Sequence, residues 1–178
     1  GPAGSLDIAL HTSVANYYAS ELRSDEAVNL DGETLRFALE LRYALTDNWD
    51  LQLELPWLDH SGGSLDSMID SWHDFWGMSN SKRDGADNEL NYRYLNNGSV
   101  ERQITSSSSG IGDVQLSAAV PFITGDGDQT RHVTMRFSVK LPTGDSEDLH
   151  GSGATDVALG LYAQDSTTML GKEFAYSG

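Results

Sequence analysis

Thr34-Leu35-Arg36-Phe37-Ala38-Leu39-Glu40-Leu41-Arg42-Tyr43-Ala44-Leu45 decides how this chain folds. Leu35, Phe37, Leu39, Leu41, Tyr43 and Leu45 alternate with Thr34, Arg36, Ala38, Glu40, Arg42 and Ala44. Side chains of a strand point alternately to its two faces, so this run has one continuously apolar face and one polar face. Thr46-Asp47-Asn48 follows as a short polar turn. Trp49, Leu51, Leu53, Leu55 and Trp57 then alternate with Asp50, Gln52 and Glu54. Two period-two runs around a three-residue polar turn predict a β-hairpin.

The same pattern extends outward in both directions. Leu6, Ile8, Leu10 and Val14 alternate with Asp7, His11 and Ser13. Val114 to Phe122, Val133 to Leu141 and Val157 to Leu161 repeat it, and a last strand is expected over 169–177. Connectors at 46–48, 124–130 and 165–168 read as short, and those at 20–32, 58–110 and 142–155 as long. Short turns at one end and long loops at the other are the signature of an outer-membrane barrel. The longer runs also match the ~9–11 residues of a tilted membrane strand. The prediction is an all-β, antiparallel up-and-down outer-membrane β-barrel of about seven spans.

One segment leaves the period of two. Leu65, Met68, Ile69, Trp72, Phe75 and Trp76 fall on one helical face, with Asp66, Asp70, His73 and Asp74 on the other. This predicts an amphipathic helix over 64–77, with Ser64 at its start and Gly77 at its end. Beyond it, Asn96-Asn97-Gly98 is a hairpin turn signal inside 90–105. The strands before and after the 58–110 loop meet the same end of the sheet. The 90–105 hairpin is therefore expected outside the barrel wall, because an odd number of spans cannot fit between them. The helix is expected to cap the barrel mouth, its stripe packed on Tyr92 and Tyr94. Trp72, Phe75 and Trp76 would then be the first contacts of an apolar ligand.

Composition narrows the function classes. The 178 residues include 27 acidic and 11 basic ones, a formal charge of −16. That balance argues against a nucleic-acid partner, which requires clustered Lys and Arg. Cysteine is absent, which excludes disulfides and thiolate metal sites. No stretch approaches the ~18 uninterrupted apolar residues of a transmembrane helix. The whole of 1–178 reads as one β-barrel domain, expected to be a piece that lacks closing C-terminal strands.

No catalytic constellation emerges. His60 and His73, among Asp59, Asp66, Asp70 and Asp74, lack the spacing of a metal motif. Ser106 to Ser109 form a serine run without a nucleophile elbow. Gly125-Asp126-Gly127-Asp128 does not complete a calcium loop. No metal, no cofactor and no enzymatic activity are expected. The residues on the polar face of the strands are instead the candidates for lining a lumen: Arg36, Glu40, Arg42, Asp50, Glu54, His132, Arg136 and Lys140. Their mixed signs fit either a permeation path or an ion-paired filling.

Several segments resemble known sequences. Leu45-Thr46-Asp47-Asn48-Trp49-Asp50-Leu51 with Leu53-Glu54-Leu55-Pro56-Trp57 resembles a turn-and-strand pattern of Gram-negative outer-membrane barrels. His60-Ser61-Gly62-Gly63-Ser64-Leu65-Asp66 with Trp72-His73-Asp74-Phe75 resembles an uncharacterised proteobacterial outer-membrane barrel family, a domain of unknown function. Gly110-Ile111-Gly112-Asp113-Val114, Val139 to Asp145 and Gly151 to Asp156 are also similar to outer-membrane proteins of phenol meta-pathway operons. The resemblance implies a bacterial outer-membrane location with lipid as partner, but no substrate. The expected role is passive passage of small molecules, a hydrophobic solute being one candidate. A soluble lipocalin-like carrier and a structural envelope barrel without transport are the alternatives. Oligomeric state stays open.

Overall fold

The computed structural model describes residues 1–63, 65–78, 89–124, 129–169 and 172–177. Among the described residues, ten strands form one antiparallel sheet curled into a half-barrel, with one helix. They are β1 (Leu6–Arg23), β2 (Glu26–Ala44), β3 (Asp50–Ser61), β4 (Asn91–Asn96), β5 (Ser99–Ile104), β6 (Ser108–Ile111), β7 (Gln115–Thr124), β8 (Gln129–Lys140), β9 (Asp156–Met169) and β10 (Lys172–Ser177). The helix α1 spans Leu65–Trp76.

Long rungs run up and down in chain order. β1 pairs with β2, β2 with β3, β3 with β7, β7 with β8, β8 with β9, and β9 with β10. β6 continues the β7 rung past a break at 112–114 and pairs with the far half of β3. The rungs therefore number seven when β6 and β7 are taken as one. Among the described residues no pairing joins β1 to β10, so the sheet is open.

The hairpin read over 34–57 is present in register, with Leu41 opposite Leu53 and Phe37 opposite Trp57. The Asn97-Gly98 turn joins β4 to β5, both residues at positive φ (50° and 76°), the geometry that an Asn-Gly pair favours. That hairpin adds to β2 only at Glu26–Asp31, beyond the segment of β2 that pairs with β3. It extends the loop end of the sheet rather than adding a rung.

Two connectors differ from expectation. The segment 20–32, read as a long loop, is strand: β1 and β2 run on to Arg23 opposite Glu26, leaving only Ser24 and Asp25 as the turn. The reason is a reversal of polarity along β2. Below Leu35 the apolar residues hold the parity of Leu35, Phe37 and Leu39. Above it that parity carries Asn29, Asp31 and Glu33, and the opposite face receives Val28 and Leu30. The expected turn at 165–168 is likewise strand, because β9 pairs with β8 through Thr167 and extends to Met169.

The helix forms as expected and ends where Gly77 takes φ +65°. Met78 N–H donates to the His73 carbonyl and Gly77 N–H to that of Asp74, closing its C-terminal turn. Ser64 lies outside the described residues. Among the described residues the aromatic end of the stripe does not pack on Tyr92 or Tyr94. Trp72, Phe75 and Trp76 are 58%, 77% and 60% exposed, and Trp76 packs on the other two rings. Tyr92 packs edge-on against His60, and the Tyr94 hydroxyl donates to Glu26, so neither is spent on the helix. Instead the helix start is tied to β2: Leu65 N–H donates to Glu33 Oε2 at 3.3 Å. Glu33 has the parity of Leu35, on the face away from the polar rows.

Candidate functional site: a polar face closed by an infolded loop

The two faces of the sheet differ in chemistry. Leu10, Phe137 and Leu159, on the apolar face, are 66%, 50% and 68% exposed. Ala38 and Ala119, on the polar face, are 0% and 2% exposed. A water-soluble fold hides its apolar face, and this one displays it. A shallow apolar groove of about 730 Å³ lies on that face, lined by Leu41, Leu51, Leu53, Leu116, Phe137 and Val139 among others.

Strand register arranges the polar face in rows. One row runs Asp7, Arg42, Gln52, Ser117, Ser138, Ala158, and the next Ala9, Glu40, Glu54, Gln115, Lys140, Asp156. Small residues between long ones let the charged arms reach across. Asp50, Ala119 and Arg136 are aligned on successive strands, and Arg136 passes over Ala119 to ion-pair with Asp50 at 3.6 Å. Arg136 also donates to Gln52, and Arg42 donates to Asp50 at 2.7 Å. Ser117 and Ser138 share a buried hydroxyl–hydroxyl bond of 2.8 Å.

Glu40 and Glu54 stand directly opposite each other, a repulsive arrangement unless it is answered. Arg36 pairs with Glu54, and His11 approaches Glu40 at 3.4 Å. Seven of the eight candidate lumen residues take part in separate ion pairs: Arg36 with Glu54, Glu40 with His11, Arg42 and Arg136 with Asp50, and Lys140 with Asp113 and Asp156. His132, exposed near the turn end of β8, lines a pocket with Arg42, Asp50 and Arg136.

Alternation along the strands does not reveal the lid on this face. The 141–155 segment folds back over it and is held at two points. The first is Asp113, in the break between β6 and β7, with a side chain only 8% exposed. It accepts hydrogen bonds from Gly144 N–H at 3.0 Å, Ser152 N–H at 2.9 Å and the Ser152 hydroxyl at 3.2 Å. Lys140 reaches it at 3.2 Å and also pairs with Asp156. Thr143 adds two bonds, donating to the Gly112 carbonyl and accepting from Val114 N–H.

The second point is His150, 5% exposed. Its ring stacks on His60 with centroids 5.3 Å apart and planes within 7°. Its Nε2 lies 3.3 Å from the Ser108 hydroxyl, while His60 Nε2 meets the Leu149 carbonyl and Nδ1 the Thr34 hydroxyl. Glycines make the approach possible. A Cβ on Gly110 would lie 2.8 Å from the His150 ring, and one on Gly144 would lie 2.5 Å from the His150 carbonyl oxygen. Gly144→Ala is expected to cost about 1–3 kcal/mol by overpacking, because backbone rather than a mobile side chain stands in the way. Chemical unfolding measures it.

The Gly-x-Gly pairs at 110–112 and 151–153 thus serve loop docking. His60, read as a candidate beside His73, has His150 as its partner instead. Among the described residues no three His, Asp or Glu side chains are grouped to hold a metal. Among the described residues no carboxylate hydrogen-bonds to His150 to orient it toward Ser108, so these two do not form a hydrolase triad.

An open antiparallel half-barrel with an exposed apolar face and an ion-paired polar face under an infolded loop is the class of protein these features define. The chain belongs to the family described as "Protein of unknown function (DUF3187)", which matches residues 2–177. No curated protein and no solved structure matches it.

Proposed function

We propose that this chain forms the wall of a bacterial outer-membrane β-barrel, with lipid against its apolar face. Its polar face would line a passage for small solutes, narrowed by the 141–155 loop. The observation that carries the reading is the inverted exposure of the two faces. The aromatic residues support it. Trp49 and Trp57, both exposed, lie eight residues apart on one strand. That is ~26 Å along a strand at ~3.3 Å per residue. At a tilt near 40° it becomes about 20 Å of height, close to the ~25 Å apolar band of such barrels, with amphipathic rings at both rims. Residues beyond Trp57, including His60, would stand outside the band.

The infolded loop turns a barrel wall into a selective one. Arg36, Arg42, Arg136 and Lys140 are all ion-paired. Paired charges in rows leave a polar but nearly neutralised surface, which passes solutes without binding any one ion tightly. The role is non-enzymatic, and no cofactor is required.

The groove on the apolar face favours a second reading, a soluble carrier holding an apolar ligand there. Planar-bilayer recording of the full-length protein separates the readings. Discrete conductance steps are expected. A protein that inserts without conducting would be a structural envelope barrel, and one that remains soluble and binds a lipophilic dye would be the carrier.

A further inference from the structure

We propose that His60 and His150 form an acid-released latch holding the 141–155 loop over the polar face. The two rings come from elements 90 residues apart in sequence and stack as near-parallel plates, both less than 10% exposed. Neutral imidazoles stack well, whereas two imidazolium rings at 5.3 Å repel each other. The contact is thus the one joint of the loop whose sign depends on protons in the range near pH 6.

The surroundings are set to favour the neutral stack. Thr34 of β2, Tyr92 of β4 and Ser108 of β6 face the pair with uncharged groups. Asp59 of β3 and Asp148 of the loop are the nearby acids, and they favour a proton on His60. The next loop acid, Glu147, is committed to Arg102 of β5 at 3.1 Å. Burial outweighs the acids and holds the His60 imidazole below its ordinary value near 6.5; the Leu149 carbonyl opposes this and the His150 ring reinforces it. The sign follows. A folded-state value below the unfolded one gives stability that is complete above about pH 6.5 and is lost as pH falls through the lower, folded value.

The second joint does not share this response, because Asp113 and Lys140 keep their charges near pH 6. Acid should therefore free the His150 end while the Asp113 anchor remains. The latch rests on the loop geometry alone. Its consequence, a wider passage at low pH, rests on the channel reading above.

Hydrogen exchange on the full-length reconstituted protein separates the two. Protection factors, corrected for intrinsic exchange at each pH, are read at His150 and Gly151, whose N–H groups donate to the Asp145 carbonyl, and at Leu39–Tyr43 as a reference. Between pH 7.5 and pH 5, protection at 150–151 should fall severalfold. The reference strand should not change. His60→Gln and His150→Gln, which cannot titrate, should each abolish the pH dependence, and either variant suffices if the other loses reference-strand protection. Unchanged protection in the wild type, or an equal fall in a folded variant, would overturn the latch. A fall in protection with conductance steps of unchanged size would keep the latch and sink its role in widening the passage, whereas a fall in protection with no conductance at either pH would keep the latch and sink the channel.

Discussion

Leu41→Arg should destabilise the bilayer-inserted protein by about 2–4 kcal/mol, while Phe37→Arg should cost only ~0–1 kcal/mol. Leu41 lies opposite Leu53, midway between Trp49 and Trp57, and Phe37 lies opposite Trp57 itself. If the apolar face meets lipid, a guanidinium at the midpoint is held in hydrocarbon, whereas one at the rim reaches water. Both side chains share one strand and one face, so backbone propensity cannot account for a difference between them. Denaturant titration of the two variants in vesicles measures it. Equal costs would mean that depth in a bilayer is not what these positions sense.

Asp113→Ala should cost about 1–3 kcal/mol, with Asp113→Asn milder, because two loop N–H groups lose a charged acceptor. The carboxylate organises two separate segments: the N–H groups of Gly144 and Ser152 in the loop, and Lys140 at the end of β8. Lys140 is partly exposed and retains Asp156, so its own loss is small. The loop, not the sheet, should respond: exchange at Gly144 and Ser152 should rise while the β2–β3 ladder stays protected. Loss of sheet protection instead would make Asp113 a general stabiliser rather than a loop anchor.

The legible part of this fold is the part governed by local period. Leu35 to Leu45 and Trp49 to Trp57 fix a strand pair, its register and its two faces, because alternation and turn length leave no other arrangement. Asn97-Gly98 and Gly77 mark a turn and a helix end through backbone conformations that they favour. The outer half of β2 was not legible. Val28 and Leu30 take the opposite parity to Leu35 and Phe37, so a search for one apolar face stops at Leu35 although the hydrogen-bond ladder does not.

The candidate site divides the same way. The ionic residues of the strands could be placed on one face by parity alone, and their pairing across neighbouring strands follows from the register. Asp113, His150 and Ser152 could not be found so. They sit in segments without period, and their long-range contacts join positions 27 to 90 residues apart. The available signal was the Gly112-Asp113 and His150-Gly151 pairings, a functional side chain beside a residue that admits close backbone approach. The placement of α1 failed for a related reason. Amphipathicity shows that a helix has an apolar face but not what covers it.

In the proposed barrel, odd positions of the β2–β3 hairpin meet lipid and even positions meet water on the polar face. The chain contains no cysteine, so single-cysteine variants at each of positions 35–43 report one site at a time. With the full-length protein in phosphatidylcholine vesicles, labelling by a membrane-impermeant maleimide should alternate. Positions 36, 40 and 42 should react, with 38 slow because Ala38 is fully buried, and positions 37, 39 and 41 should stay protected until detergent is added. Protection of the even positions with reaction at the odd ones, or no alternation at all, would contradict the account.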